Sequence, residues 1–217
     1  MGSGANSRCD LAYQHLLNGF SEDPRVLSLI KFTGQQHLKK RPRLSLLETL
    51  CRAISGQQLS TKAAGTIWGR VKAGQSAEDT SFLNFILQTD SAQLRTFGLS
   101  NAKSRAVKEL AQAAESGRLN AKRLATMPAD EQIDQLCEFW GVGRWTAQMC
   151  AISYFTQPDV WSEGDVGLKN ALIALYPDSP DAQLQAVQIA SPFRTYWSLH
   201  LWSALDNGFF NLTNETE

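Results

Sequence analysis

Two short stretches of this 217-residue chain carry residue types that could do chemistry. The first is Gly141-Val142-Gly143, two glycines flanking one apolar residue between the helical patterns ending near Leu136 and starting near Arg144. Such a turn calls for backbone conformations that side chains obstruct, and it lets another backbone come close. A helix beginning at Arg144 would point its free N–H groups and positive dipole end outward, a phosphate site indifferent to sequence. Leu136 and Ala147 would lock the two helices together. The second stretch is Gly164-Asp165, placed 22 positions after Gly143. Asp165 precedes the helical run 166–175 and reads as an N-cap. A carboxylate so placed can also stabilise developing positive charge and orient an attacking water.

The elements that must hold these residues are helical throughout. Apolar residues recur at helical spacing, and no segment alternates well enough to be a strand. Leu44, Leu47, Leu50, Cys51 and Ile54 form one apolar face; after an interruption at Ser55-Gly56-Gln57-Gln58-Leu59, Ala64, Ile67, Trp68 and Val71 form another, with Ser60 as its N-cap. Phe82, Phe85 and Ile86 mark a short helix, Leu94 and Phe97 a second ending at Gly98, and Ser100 caps a longer one reaching Gly117. Pro128, Pro180 and Pro192 fall where a first helical turn tolerates a missing N–H. The last helix, about 192–208, carries Phe193, Tyr196, Trp197 and Trp202. About ten short helices in a two-lobed, all-α body is the expectation, with 1–43 and about 176–217 in one lobe and about 44–175 in the other. Met1-Gly2-Ser3-Gly4 reads as a cloning remnant, and 1–8 as a tail outside the fold.

Bulk properties narrow the function classes. Lys and Arg total 21, as do Asp and Glu. The charges are nonetheless segregated: residues 1–125 hold 18 basic and 9 acidic side chains, the remainder 3 and 12. That asymmetry fits one face for phosphate, and it fits equally a set of solvated helix surfaces. Cys9, Cys51, Cys137 and Cys150 are dispersed, without the pairing of a metal or iron–sulfur site, and suggest a reducing cytoplasm or nucleus. No signal peptide and no membrane span is expected.

Read as a whole, the run Leu136-Cys137-Glu138-Phe139-Trp140-Gly141-Val142-Gly143-Arg144-Trp145-Thr146-Ala147 resembles the helix-hairpin-helix of the DNA glycosylase superfamily. It and Trp161-Ser162-Glu163-Gly164-Asp165-Val166-Gly167-Leu168-Lys169 are similar to the 3-methyladenine DNA glycosylase II branch, which removes alkylated purines. So are Ala53-Ile54-Ser55-Gly56-Gln57-Gln58-Leu59-Ser60 and Phe97-Gly98-Leu99-Ser100-Asn101-Ala102-Lys103. The likeness runs from about 44 to 205. Trp140 departs from it, standing where the family usually has proline, and the room before position 44 suits only the minimal all-α form.

The resemblance implies a two-lobed helical glycosylase with its active-site cleft between the lobes and Asp165 as the catalytic carboxylate. Trp145 and Trp202 would line the base pocket, where an aromatic face attracts a cationic ring by roughly 0.5 to 2 kcal/mol. Gln58 matches the intercalating wedge, with Gln57 and Leu59 able to share its work. Gly141, Gly143, Arg144, Thr146, Lys103 and Lys169 would contact the DNA backbone, as would Arg105 and, more weakly, the run Lys39-Lys40-Arg41-Pro42-Arg43. Tyr154, Phe155, Trp161 and Trp197 are expected in the core. A monovalent cation on the carbonyls of Cys137, Phe139 and Val142 is also implied. No other cofactor is expected, and no iron–sulfur cluster. A purine alkylated at N3 or N7 is already cationic and leaves without a proton donor, so charge stabilisation and access matter more than general acid catalysis. Members that also cut the strand place a Lys at position 145; Trp145 implies monofunctional base excision that leaves an abasic site. The expected partner is double-stranded DNA with alkylated bases, bound by a monomer. A non-catalytic DNA-damage binder of the same fold, or a glycosylase for hypoxanthine, ethenoadenine or uracil, fits the same residues.

Overall fold

The computed structural model describes residues 7–38 and 44–212, all helix and connecting turn without a strand among them. The basic run at 39–43 and the remnant-like start lie outside the described residues. The chain opens with α1 (Arg8–Gly19) and α2 (Pro24–Thr33), then runs through α3 (Leu46–Gly56), α4 (Thr61–Ala77), α5 (Phe82–Gln88), α6 (Ser91–Thr96) and α7 (Asn101–Glu115). Next come α8 (Ala121–Ala125), α9 (Ala129–Cys137), α10 (Arg144–Ser153), α11 (Val166–Leu175), α12 (Pro180–Ile189), α13 (Arg194–Asp206) and α14 (Phe209–Leu212). Fourteen helices among the described residues exceed the ten expected. The surplus is in pieces such as α8 and α14, of 5 and 4 residues, too short to show a period.

Helix starts follow local chemistry. Ser45 and Glu48 form a reciprocal capping box at α3, Ser60 and Ser100 cap α4 and α7 as expected, and Ser179 caps α12. Pro180 is the first residue of its helix, whereas Pro128 is itself the N-cap of α9 and Pro192 lies ahead of α13, in the turn before Phe193.

Two compact units emerge: residues 7–38 with 156–212, and residues 44–155. The boundary is near 155 rather than about 175, so 156–175, Asp165 included, pack with the chain's two ends. The reason is burial. Leu168, Ala171, Leu172 and Leu175 of α11 share one apolar cluster with Leu16, Leu29, Ile30, Trp197 and Leu201. The second unit has its own core, in which Leu46, Leu47, Leu50 and Ile54 of α3 and Val107 and Leu110 of α7 are buried.

His200 of α13 sits inside the first unit, its Nδ1 2.6 Å from Thr33 Oγ1 of α2. Burial disfavours its charged form and lowers its pKa from 6.5 to about 4. Because the folded-state value is the lower one, this residue's contribution to stability is complete above pH 6.5 and is lost as pH falls through about 4. The melting temperature should therefore drop as pH is taken from 6.5 to 4, and His200→Gln should flatten that part of the curve. A profile unchanged by the substitution would show that other groups set the acid limit.

Candidate active site

The carboxylate belongs to the first unit. Asp165 ends the turn before α11 and accepts on Oδ1 from two donors, the Leu168 backbone N–H at 3.0 Å and the Trp202 indole N–H at 3.1 Å. The first bond is the expected N-cap. The second comes from α13, and it holds the carboxylate from a direction the cap alone would leave open. A Cβ added at Gly167 would lie 3.2 Å from Asp165 Oδ1 and 3.6 Å from Trp202 Cδ1, so the glycine keeps this corner uncrowded. Lys169, on the first turn of α11, is exposed. The result is an anion of fixed orientation, able to stabilise positive charge without reorganising. Trp161 packs beside the same core, while Trp197 is fully buried within it.

The hairpin belongs to the second unit. Leu136 and Ala147 are completely buried where α9 meets α10, and the turn closes with Val142 N–H donating to Phe139 O at 3.0 Å. The two glycines do different work. Gly141 has φ +85°, and a Cβ there would lie 2.5 Å from Ala106 Cβ on α7. Gly143, at φ −77°, adopts a conformation open to any residue, with nothing within 4 Å of an added Cβ, which corrects the expectation that both need glycine's freedom. Its lack of a side chain instead leaves α10 without a side-chain cap.

Other expected backbone contacts sort differently. Arg144 is exposed and pairs with Asp134 at 3.0 Å, a contact that a phosphate can displace because such surface pairs are weak. Thr146 is only 3% exposed and its Oγ1 accepts from Gln57 Nε2 at 3.1 Å, so its side chain is a structural partner rather than a phosphate ligand. Lys103 was expected on phosphate too. Its ammonium instead donates to Ser55 O at 2.9 Å and Gln57 O at 2.8 Å. Arg105 lies 4.5 Å over the Trp140 ring and bonds Glu109 at 2.7 Å, giving the tryptophan that replaces proline a cationic neighbour. Trp145 is 44% exposed. Gln58 and Leu59 are exposed in the turn between α3 and α4, where Gln58 takes φ +59°. Tyr154 and Phe155 pack edge to face at the end of α10, with ring centroids 4.8 Å apart.

Two of the four cysteines, Cys51 and Cys150, are buried. Burial raises the Cys51 thiol strongly and pushes Cys150 up to about 12. Among the described residues no three His, Cys, Asp or Glu side chains converge on a metal position, and no helix is long and apolar enough to cross a membrane.

Comparison with known proteins gives this geometry a family. Residues 51–191 match the HhH-GPD superfamily base excision DNA repair protein family. The chain belongs to the HhH-GPD superfamily. Among its HhH-GPD relatives, DNA-3-methyladenine glycosylase 1 of Schizosaccharomyces pombe is 31% identical over 86% of this chain and 83% of its own length. The crystal structure of the DNA-3-methyladenine glycosidase from Bacillus halodurans superimposes with a TM-score of 0.75 at 29% identity, covering 88% of each chain. The Schizosaccharomyces pombe 3-methyladenine DNA glycosylase Mag1, solved in complex with abasic DNA, also gives 0.75, at 26% identity over 89% of this chain and 96% of that one. The matched family span takes in the Gln58 turn, the hairpin and Asp165.

What sequence reasoning missed was the set of ties between these elements: Trp202 to Asp165, Lys103 to the Gln58 turn, Gln57 to the hairpin. Resemblance marked Trp202, Lys103 and Gln57, but each for a contact with DNA rather than for these ties.

Proposed function

We propose that this HhH-GPD protein is a base excision repair glycosylase that hydrolyses the N-glycosidic bond of alkylated purines, 3-methyladenine and 7-methylguanine among them, in double-stranded DNA. It acts as a monomer and leaves an abasic site. The observation that carries the reading is the carboxylate of Asp165, oriented by two N–H donors, in a chain that also holds the hairpin. The relatives named as 3-methyladenine glycosylases support the substrate class.

In this reading the uncapped first turn of α10, with Gly141, Gly143, Arg144 and the Thr146 backbone, grips the strand, and exposed Lys169 adds a phosphate contact. A purine must leave the stack to be reached, which costs a few kcal/mol, and Gln58 fills the gap. Trp145 and Trp202 offer aromatic faces to the cationic base. Departure of an already cationic base leaves positive charge on the sugar, which Asp165 stabilises while directing water to the anomeric carbon. The carbonyls of Cys137, Phe139 and Val142 are neutral oxygen donors of the kind that suit a monovalent cation; Phe139 O also accepts from Val142 N–H, so it would share its second lone pair. Such an ion would add positive charge at the strand-gripping turn.

The direct test is release of 3-methyladenine and 7-methylguanine from methylated duplex DNA, measured by chromatography. DNA binding without base release would instead establish the non-catalytic reading. Trp145 has no amine to attack the sugar. Borohydride added during turnover should trap no covalent protein–DNA adduct, and a trapped adduct would overturn monofunctional hydrolysis.

A further inference from the structure

The turn that carries Gln58 is held by side chains that need not themselves touch DNA. Between α3 and α4 the backbone turns through Gln58 at φ +59°, a left-handed conformation that a non-glycine residue keeps only when its surroundings impose it. What imposes it comes from two other elements of the same unit. From α7, the Lys103 ammonium donates to the carbonyls of Ser55 and Gln57, immediately before the bend. From the residue adjoining the bend, the Gln57 amide donates to Gly141 O at 3.2 Å and to Thr146 Oγ1 at 3.1 Å, on the hairpin. The α7 helix closes the circuit, since Ala106, one turn beyond Lys103, is the residue against which Gly141 packs without a Cβ.

We propose that Lys103 and Gln57 are positioning residues that join the Gln58 turn to the strand-gripping hairpin as one rigid piece, so that binding the backbone presents Gln58 to the base stack. The inference rests on the reading of Gln58 as the residue that fills the gap. Two charge-assisted bonds to neighbouring carbonyls replace the freedom of a loop with a single geometry, and misplacement by about 1 Å can cost up to a hundredfold in rate. Partial burial lowers the Lys103 pKa, consistent with an ammonium turned into the protein rather than toward solvent.

The test compares wild type, Lys103→Met, Lys103→Arg and Gln57→Ala on duplexes holding one 7-methylguanine opposite cytosine or opposite thymine. Lys103→Met should keep its melting temperature within a few degrees while single-turnover release from the paired lesion falls about tenfold or more. Opposite thymine, where extrusion is easier, the loss should shrink. Lys103→Arg should restore most of the rate, since a guanidinium can reach both carbonyls, and Gln57→Ala should share the defect. The affinity for an abasic-site duplex should keep its salt dependence. Hydrogen exchange of the free protein supplies a readout apart from catalysis: Lys103→Met should speed exchange at 56–60 and at 141–143. Full activity in Lys103→Met, or an equal loss on both duplexes with a shallower salt slope, would overturn the proposal, the latter marking Lys103 as a phosphate contact. If wild type releases no base, the glycosylase reading fails, and unchanged exchange would then also defeat the brace.

Discussion

Asp165→Asn is expected to reduce base release by about a thousandfold or more while leaving the protein folded and able to bind DNA. The substitution is nearly isosteric, and Asn is as good an N-cap as Asp, so the bond from Leu168 N–H survives. The amide oxygen can also keep the bond from Trp202. Only the charge is lost, and with it, on the proposed function, the stabilisation of the cationic sugar. On the proposed function, removing an anion that faces DNA should leave affinity for an abasic-site duplex unchanged or slightly raised. Asp165→Ala gives the contrast. It should lose base release to the same extent and also about 1 kcal/mol of stability through the missing cap, seen as a fall of roughly 2–4 °C in melting temperature. A folded Asp165→Asn enzyme with wild-type release would remove Asp165 from the chemistry and leave it as a helix cap.

The second large effect is expected at Gly141. An alanine there meets two penalties: a left-handed φ of +85°, and a Cβ 2.5 Å from Ala106 Cβ, closer than atoms can approach. The conformational term is about 1–2 kcal/mol and forced overpacking about 1–3 kcal/mol, so Gly141→Ala should lower the melting temperature by roughly 4–20 °C. Duplex binding should weaken as well, because the turn that presents the α10 amides must shift. Adding Ala106→Gly relieves the collision and leaves the backbone strain, so the double variant should recover part of the loss. Gly143→Ala separates the two glycines. With an ordinary φ and open space it should change stability by less than about 1 kcal/mol and act mainly on DNA affinity. If Gly141→Ala melts with the wild type, the packing of the hairpin on α7 is not what the geometry indicates.

Much of the fold and part of the site were legible in the residues themselves. The caps at Ser60 and Ser100 and the apolar faces of α3 and α7 involve residues three or four apart, and such signals survive whatever the rest of the chain does. The hairpin and the N-cap role of Asp165 were legible on the same grounds, while the proposal of a catalytic role for it came from resemblance. Short helices such as α8 were not, since five residues do not establish a period.

The amino-acid sequence by itself determined the longer helices with strong apolar faces, the starts at Ser60 and Ser100, the hairpin between α9 and α10 and the placing of a carboxylate at the head of α11, because each depends on interactions within a turn or two of chain. Tertiary structure alone decided which distant groups those local features meet. It brings Trp202 to Asp165 across 37 residues, aims Lys103 at carbonyls 46 and 48 residues away, buries Thr146 under Gln57 and sets Gly141 against Ala106. It also assigns α11 to the unit built from the chain's two ends. A side chain's partner across a helix interface depends on how whole helices pack, a summed result of many burial terms that no local pattern of residues encodes.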